Sequence, residues 1–231
     1  MTTSDKMASL IKQIRAFGTC EIADALIKLK VASGGYLAGI KSHSPKSPID
    51  ICGPAFTVEM VSQQDTSAPK PEKHFVDATE GHSGSIMVIS APHDTRSAVW
   101  GGLMTNRAQF NGIQGAIISG RCRDLQEQWD AGFAIYSRGH SILGQSPFTR
   151  PSRLQVPLEI NDPTSSTFPS TKVSPGDIVR ADLDGVVVCP VDLAEKVIEL
   201  ATKGREVDEN CKQDLLKGNP IKETFAKWRG K

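Results

Sequence analysis

Apolar residues cluster in three short runs in the middle of the chain, and these runs predict buried strands. The runs are Ser85 to Ala91, Gly115 to Ser119 and Phe133 to Ser137. Nearly continuous apolar runs of this length are typical of strands that are covered on both faces. Two predicted helices separate them, Ala98 to Asn111 and Asp124 to Ala131. The order strand, helix, strand, helix, strand predicts parallel pairing through right-handed crossovers.

Both ends of the chain are predicted to be helical. Apolar residues recur at helical spacing within residues 5 to 17, and a second short helix follows from Glu21 to Lys30. Towards the C-terminus, a long helix is predicted from Val191 to about Leu216. The last segment, Ile221 to Trp228, is a short amphipathic tail that we expect to pack on a neighbouring subunit.

The remaining segments predict strands and loops around this parallel centre. Asp184-Gly185 is a tight-turn signal between two strands. We therefore predict one α/β domain over residues 1–231, with a mixed central sheet and flanking helices. Residues 1–30 are its N-terminal helices and residues 206–231 its C-terminal helical tail. The predicted outer strands are Cys52 to Met60, Leu154 to Ile160, Asp177 to Asp182 and Val186 to Cys189, and the predicted loops include Lys41 to Asp50 and Ser62 to Lys73.

Composition and charge favour a soluble globular protein and argue against several classes. The 231 residues are 39% hydrophobic and 23% charged, with a formal net charge of +1. Nucleic acid binding is disfavoured, because it usually requires a strongly basic surface. No apolar run approaches the roughly 20 residues that span a bilayer, and the first residues lack the order of a secretory signal. Five widely spaced cysteines fit reduced thiols and a cytoplasmic location.

A pair of glycines, Gly101 and Gly102, stands at the start of the helix between the first two buried strands. Glycine lets a backbone approach a ligand closely, because no Cβ intervenes. If Leu103 and Met104 begin the helix, their N–H groups have no partner within it and attract a carboxylate or phosphate. In the alternative interpretation, the glycines only permit tight packing between strand and helix. The pair alone favours this simpler interpretation.

Arg123 and Asp124 follow the second buried strand, at the edge of the sheet where ligands of open α/β folds bind. The planar guanidinium matches carboxylate and enolate-like oxygens, and an adjacent carboxylate can bind a hard cation such as Mg²⁺. In the alternative, Asp124 caps the helix that starts at Leu125, and Arg123 is solvated or paired with it. The turn by itself leaves both interpretations open.

Three sequence stretches together resemble the RraA-like family, which includes the class II 4-hydroxy-4-methyl-2-oxoglutarate aldolases. The aldolase pattern is a Gly, twenty residues, Arg-Asp, two residues and an acid, and the chain has Gly102, Arg123-Asp124 and Glu127 at these positions. A second stretch is Pro175-Gly176-Asp177 followed by Asp182-Leu183-Asp184-Gly185 and a valine run. The third is Thr19 with Asp24-Ala25-Leu26. The resemblance runs from about residue 10 to about residue 205 and favours the functional interpretation of Arg123-Asp124.

The resemblance implies a swivelling β/β/α fold, assembled as a homotrimer or homohexamer with sites between subunits. It implies a small-molecule 2-keto acid as the substrate. Backbone amides would bind its pyruvyl part, and Arg123 would bind the keto and carboxylate oxygens. The amides belong to Gly101, Gly102, Leu103 and Met104.

The resemblance also implies a divalent cation, first Mg²⁺ and alternatively Mn²⁺, with Asp124 as its protein ligand. Glu127 would position a metal-bound water or orient Arg123. A carboxylate of a neighbouring chain would complete the site, with Glu199 and Asp182 as candidates.

The implied chemistry is cleavage of a carbon–carbon bond that leaves the enolate of pyruvate. The cation and Arg123 would stabilise its negative charge, and a carboxylate or a metal-bound water would move the proton of the 4-hydroxyl. Oxaloacetate decarboxylation would pass through the same enolate. A Schiff base is not needed, and no lysine lies between Lys73 and Lys172 to supply one from the central block.

Other chemistries have less support in the sequence. The five histidines show no zinc-binding spacing, and Cys122 is expected to point into the core although two arginines flank it. The alternative function is a non-catalytic regulator that binds ribonuclease E, because such inhibitors share the family's fold and parts of its motif. They generally lack the final acid, which Glu127 supplies here. The preferred substrate, the native metal and the number of subunits stay open.

Overall fold

The computed structural model describes residues 2–43 and 50–230, so part of the predicted loop from Lys41 to Asp50 lies outside the described residues. The strands are β1 Lys41–Ser42, β2 Ile51–Ser62, β3 Ile86–Ser90, β4 Gly115–Cys122, β5 Ala134–His140, β6 Thr149–Leu154, β7 Leu158–Ile160, β8 Thr171–Val173, β9 Ile178–Ala181 and β10 Val186–Cys189. The helices are α1 Thr3–Arg15, α2 Thr19–Lys28, α3 Gly102–Phe110, α4 Leu125–Asp130, α5 Ala194–Leu216 and α6 Ile221–Arg229, with a 3₁₀ turn at Asp77–Thr79.

Four parallel strands form the centre of the main sheet, in the order β5, β4, β3, β2. This confirms the predicted parallel pairing and the α/β fold. The sheet becomes mixed towards its edges, where β1 pairs antiparallel with β5. The free side of β2 is shared: Ile51 to Pro54 pair antiparallel with β9, and Val58 to Ser62 with β6. β10 then continues the sheet beyond β9.

Alternation along the central strands fills an apolar core on each face of the sheet, as expected for strands covered on both sides. Met87 and Ile89 belong to the core beneath α3 and α4, whereas Ile86 and Val88 belong to the opposite one. In the first core the rings of Trp100 and Phe133 stack with centroids 5.9 Å apart. A third core packs α1, α2 and α5 against β2, β9 and β10.

The segment from Leu154 to Ile160, predicted as one strand, is two strands in different sheets. Gln155 has φ +53° and turns the chain away from β2. Its backbone N–H donates to the Thr57 carbonyl at 2.9 Å, and its side-chain oxygen accepts from the Thr57 N–H at 3.1 Å. Because the left-handed residue redirects the chain after these bonds to β2, the next strand, β7, pairs with β8 instead.

The helix predicted to start at Ala98 starts at Gly102. Residues 98–100 lie beside β4, with the Val99 N–H donating to the Arg121 carbonyl at 2.9 Å. Trp100 forms a parallel bridge with Cys122. Sheet-like bonding therefore holds this segment and delays the helix until the glycine pair.

The C-terminal tail packs on its own chain, and its expected contact with a neighbouring subunit stays a prediction. Asp214 of α5 accepts hydrogen bonds from Lys227 Nζ at 2.8 Å and Trp228 Nε1 at 2.7 Å, and Arg229 pairs with Asp208 at 2.6 Å. These bonds fold α6 back along α5. Within the described ranges, no helix combines the length and the apolar character that crossing a membrane requires.

Candidate active site

Three loops meet at the carboxyl ends of β3, β4 and β5, and backbone hydrogen bonds hold them together. The Arg123 N–H, just after β4, donates to the Trp100 carbonyl at 2.9 Å. On the other side, the Ser141 N–H donates to the Cys122 carbonyl at 2.9 Å and the Ala98 N–H donates to Leu143 at 3.0 Å. The predicted meeting of the glycine pair with the Arg-Asp turn is thus present, with the loop after β5 as a third wall.

Asp124 has a left-handed backbone, with φ 59° and ψ 46°, directly before α4. Among residues with a side chain, Asp is one of the few that tolerate this conformation. Its carboxylate makes no capping bond to α4. Oδ2 instead accepts the Gly102 N–H at 3.1 Å and lies 3.4 Å from Arg123 Nε. Asp124 therefore occupies the N-cap position of α4 without capping it through its side chain. The pairing of Asp124 with Arg123, the other part of the alternative interpretation, is present.

Both glycines are needed for the acidic side chains to approach the start of α3. A Cβ on Gly101 would lie 2.4 Å from Asp124 Oδ2, and a Cβ on Gly102 would lie 1.8 Å from Glu127 Oε2. Neither glycine has a positive φ, so close approach and not backbone conformation is the reason for glycine here. The pair brings the carboxylates of Asp124 and Glu127 to one helix end.

The Arg123 guanidinium lies between Asp124 and the loop after β5. A Cβ on Gly144 would be 3.0 Å from Arg123 Nη1, so this loop closely covers one side of the guanidinium. The side chain of Arg123 is 42% exposed and that of Asp124 33%. Both charged groups therefore stay accessible to a ligand although their backbone is fixed.

The side chains of Arg123 and Asp124 line a pocket of about 110 Å³. One part of its wall is polar, made by Arg123, Asp124 and Gln145, and the rest is apolar or backbone. Leu103 and Met104 line it from the first turn of α3, where backbone N–H groups have no partner within the helix. The Gly102 N–H is already bonded to Asp124. The apolar or backbone lining comes from Ala98, Val99, Trp100, Gly101, Leu103 and Met104.

A larger groove of about 610 Å³ lies elsewhere, between α2, α5 and α6. Four of its charged side chains form ion pairs: Glu21 pairs with Arg205 at 2.7 Å, and Asp208 pairs with Arg229 at 2.6 Å. Asp24, Lys28 and Lys203 also line it. Size alone would favour this groove, but both of its arginines are already paired with acids. The chemistry therefore favours the smaller pocket at the strand ends.

The other two family-like stretches bind each other away from the lining of that pocket. Asp182 accepts from the Thr19 N–H at 2.9 Å and from Thr19 Oγ1 at 2.8 Å, and also from the Asp184 N–H at 3.0 Å. These bonds tie the start of α2 to the β9–β10 hairpin, which is a structural role. Glu199 pairs with Lys203 at 2.7 Å on an exposed face of α5. Completion of the site by either acid from a partner subunit stays a prediction.

Cys122 and one of the five histidines, His82, make packing contacts in this chain. Cys122 is buried, as expected, and burial raises the pKa of its thiol. His82 packs edge-on against Phe56, with ring centroids 5.0 Å apart. Within residues 2–43 and 50–230, no group of three or more His, Cys, Asp or Glu side chains could hold a metal ion. A fully protein-built metal cage is therefore not available in the described part of this chain.

Sequence reasoning missed Gly144, Gln145 and Gln128. The first two reach Arg123 only because the loop after β5 folds over it. Gln128 is buried, and its Nε2 donates to the Arg123 carbonyl at 2.5 Å. The sequence signal that could have pointed to it is its place three residues after Leu125, on the same face of the predicted helix.

Comparison with known proteins gives consistent similarities. A family model described as RraA-like, Aldolase/RraA, matches residues 19–188. Protein DlpA of Legionella pneumophila subsp. pneumophila is 28% identical over 222 residues, 95% of this chain, but the chain spans only 34% of that protein's length. A Halalkalibacterium halodurans protein named "Putative 4-hydroxy-4-methyl-2-oxoglutarate aldolase" is 27% identical over 90% of this chain and 89% of its own length. The solved structure of an uncharacterized protein from Pseudomonas syringae pv. tomato str. DC3000 matches with a TM-score of 0.75 and 27% identity, covering 94% of this chain and 96% of that one.

Proposed function

The chain belongs to the RraA-like family, and from this premise we propose that it is a divalent-metal-dependent carbon–carbon lyase. Its proposed reaction is retro-aldol cleavage of 4-hydroxy-4-methyl-2-oxoglutarate-type 2-keto acids to pyruvate, with oxaloacetate decarboxylation through the same enolate. One observation carries the proposal: Arg123 and Asp124 share a small pocket with the first turn of α3. The name of the Halalkalibacterium halodurans relative supports the reaction class.

The donor set fits a hydrated hard cation. One Asp124 oxygen, Oδ2, is engaged by Gly102 and Arg123, and the carboxylate is accessible from the pocket that it lines. Mg²⁺ is commonly held by one or two carboxylates and otherwise keeps its waters, which suits a pocket with a single lining acid. We assign Asp124 as the protein ligand of Mg²⁺ or Mn²⁺, which would supply positive charge beside the substrate's keto oxygen.

The substrate's 2-keto acid end is bound by this chain's own groups. The substrate carboxylate takes the free N–H groups of Leu103 and Met104, because a helix N-terminus favours an anion. The Arg123 guanidinium reaches the keto and carboxylate oxygens with its planar set of donors. A pocket of about 110 Å³ suits a fragment as small as a pyruvyl group.

The bond that breaks joins carbon 3 of the substrate to carbon 4, which bears the hydroxyl. Its electron pair moves onto the 2-keto fragment to form the pyruvate enolate, whose oxygen Arg123 stabilises. The proton of the 4-hydroxyl leaves as that carbon becomes a carbonyl, and Glu127, which lies beside the start of α3 and outside the pocket lining, accepts it through water. Return of this proton from Glu127 through water to carbon 3 then gives pyruvate and restores the carboxylate. With oxaloacetate, loss of CO₂ leaves the same enolate.

No lysine is among the pocket-lining residues of the described chain. A Schiff-base route therefore has no nucleophile in this pocket.

We further propose that the protein works in the cytoplasm as a homotrimer or homohexamer, with a partner subunit closing the open side of the site.

Pyruvate release measured with a coupled lactate dehydrogenase assay tests the proposal. Each substrate is incubated with the purified protein, with EDTA, and with EDTA followed by excess Mg²⁺ or Mn²⁺. Because Mg²⁺ alone promotes oxaloacetate decarboxylation, a protein-free sample and the Asp124→Asn variant serve as controls. We expect metal-restored pyruvate release above both controls, and no release from either substrate would refute a lyase function.

The alternative, a non-catalytic regulator of ribonuclease activity, predicts a different pattern. Such a protein would bind and inhibit a ribonuclease E-type enzyme equally well with and without Arg123. The contact between Glu127 and Gly102 favours the lyase, because a regulator has no need for an acid at this position. Inhibition of the ribonuclease together with absent pyruvate release would support the regulator.

A further inference from the structure

Gln128 lies on the buried side of α4 and reaches back to the turn that carries the candidate site. It is 1% exposed. Its Nε2 donates to the Arg123 carbonyl at 2.5 Å, and its backbone N–H donates to the Asp124 carbonyl at 3.2 Å. The second bond is the ordinary backbone bond of a helix to the residue four positions earlier, so the bond particular to this side chain is the one to the Arg123 carbonyl.

The same side chain carries an unfavourable feature. Its Oε1 is buried and has no hydrogen-bond partner among the described residues. A buried acceptor without a partner destabilises the folded state, whereas an apolar side chain of similar shape would not. The amide at position 128 is therefore not explained by packing alone, and its bond to the Arg123 carbonyl is the contact that distinguishes it from methionine or leucine.

The bond from Gln128 Nε2 to the Arg123 carbonyl lies at the turn between β4 and α4, where the backbone changes conformation. Arg123 is the residue after the end of β4, and Asp124 is left-handed, a conformation that is unfavourable for a residue with a side chain. A strained turn persists only when its surroundings fix it. The Arg123 N–H is held by Trp100 and its carbonyl by Gln128, so the peptide groups on both sides of Arg123 are fixed.

We propose that Gln128 is a positioning residue of the site. Its amide fixes the Arg123–Asp124 peptide, so that the Asp124 carboxylate stays on the Gly102 N–H and the Arg123 guanidinium stays in the pocket. The inference rests on the proposed function for its effect on turnover. Its effect on the position of Asp124 does not depend on any reaction.

The test replaces Gln128 by methionine, which keeps the length and removes both polar atoms. Gln109→Met is the control for the same chemical change, because the exposed Gln109 also donates through Nε2 to a backbone carbonyl, that of Ala131 at 2.8 Å, at the other end of α4. Gln128→Leu is the second variant if Gln128→Met does not fold. Three measurements are made: steady-state kinetics with oxaloacetate, which give kcat and KM; calorimetry, which gives the dissociation constant of Mn²⁺ alone; and NMR, which gives the hydrogen-exchange rate of the Gly102 amide.

In Gln128→Met we expect kcat to fall by about 10- to 100-fold with KM changed by less than about 3-fold, since small misplacements of reacting groups have effects of this size. The Mn²⁺ dissociation constant should rise about 10- to 100-fold, as for other residues that support a ligand. The Gly102 amide should exchange faster, because its acceptor on Asp124 is no longer held. Gln109→Met should match the wild type in all three.

The possible outcomes separate this inference from the proposed function. Unchanged kcat, Mn²⁺ binding and Gly102 exchange in Gln128→Met would overturn the positioning role, even if the variant melts at a lower temperature. Faster Gly102 exchange in a protein whose wild type releases no pyruvate would refute the lyase and still support Gln128 as the residue that places Asp124. Equal losses in Gln109→Met and Gln128→Met would reduce the effect to general loosening of α4 and overturn the inference.

Discussion

Replacing Gly102 by alanine should expel the Glu127 carboxylate from the start of α3. The new Cβ would lie 1.8 Å from Glu127 Oε2, 2.7 Å from its Cδ and 3.1 Å from its Cβ. Rotation of the carboxylate alone cannot relieve a contact that extends down to the Cβ, so the whole side chain must swing away. The backbone at Gly102 is helical and accepts alanine without strain, so the damage is confined to this side chain.

The stability terms of this change nearly cancel. Alanine in a helix is favoured over glycine by about 0.5–1 kcal/mol, and forcing the Glu127 side chain from its preferred rotamer costs about 0.5–1.5 kcal/mol. The net change is within about 1 kcal/mol, which corresponds to a melting shift of no more than about 2–4 °C for a chain of this size. Activity should instead fall about 100-fold or more, because a positioned acid–base group typically contributes 10²–10⁴-fold.

The assay compares Gly102→Ala with Glu127→Ala and with the double variant, by pyruvate release and by thermal unfolding. If Gly102 acts only by making room for Glu127, the double variant should be no less active than Glu127→Ala. Gly204→Ala is the matched control, because Gly204 lies inside α5 and its new Cβ would meet only Lys28 Nζ at 3.9 Å. It should raise stability slightly and leave turnover unchanged.

Two results would refute this reasoning. Normal turnover in Gly102→Ala would mean that the Glu127 carboxylate has no role at this helix end. If the activity losses of the two single variants simply add in the double variant, Gly102 and Glu127 act independently. That result would contradict a role for the close approach, in which a Cβ on Gly102 would lie 1.8 Å from Glu127 Oε2.

Three further changes are expected to have the following results. Arg123→Ala should remove nearly all lyase activity while thermal stability barely changes, because the guanidinium is partly exposed; near-normal turnover would rule out its assigned role. Asp124→Asn should weaken Mg²⁺ binding and activity together, and calorimetry that shows unaltered Mg²⁺ affinity would contradict it. Burial lowers the pKa of both His43 and His74 in the folded chain. Their contribution to stability is therefore complete above the unfolded pKa of about 6.5 and is lost as the pH falls below it; urea unfolding from pH 7 to pH 5 should show a decline that the double replacement by asparagine flattens.

The sequence by itself determined the centre of the fold and the identity of the charged groups. Apolar runs such as Ile86 to Ile89 and Ala116 to Ile118 are local features of the sequence. Because these runs are apolar throughout, they already indicate strands that are buried on both faces. The spacing from Gly102 to Arg123, Asp124 and Glu127 is also local information. These features predicted the parallel sheet and the edge of the sheet at which the candidate site lies.

Only the tertiary structure decided which groups meet and how they are held. The left-handed Gln155 that divides a predicted strand, and the delayed start of α3 beside β4, both depend on hydrogen bonds to segments distant in sequence. The same holds for Gly144 against Arg123 and for Gln128 on the Arg123 carbonyl. Residue type and spacing along the chain indicate which segments form helices and strands and which faces are buried. The contacts named here form between loops that are distant in sequence, and no local pattern specifies how such loops approach each other.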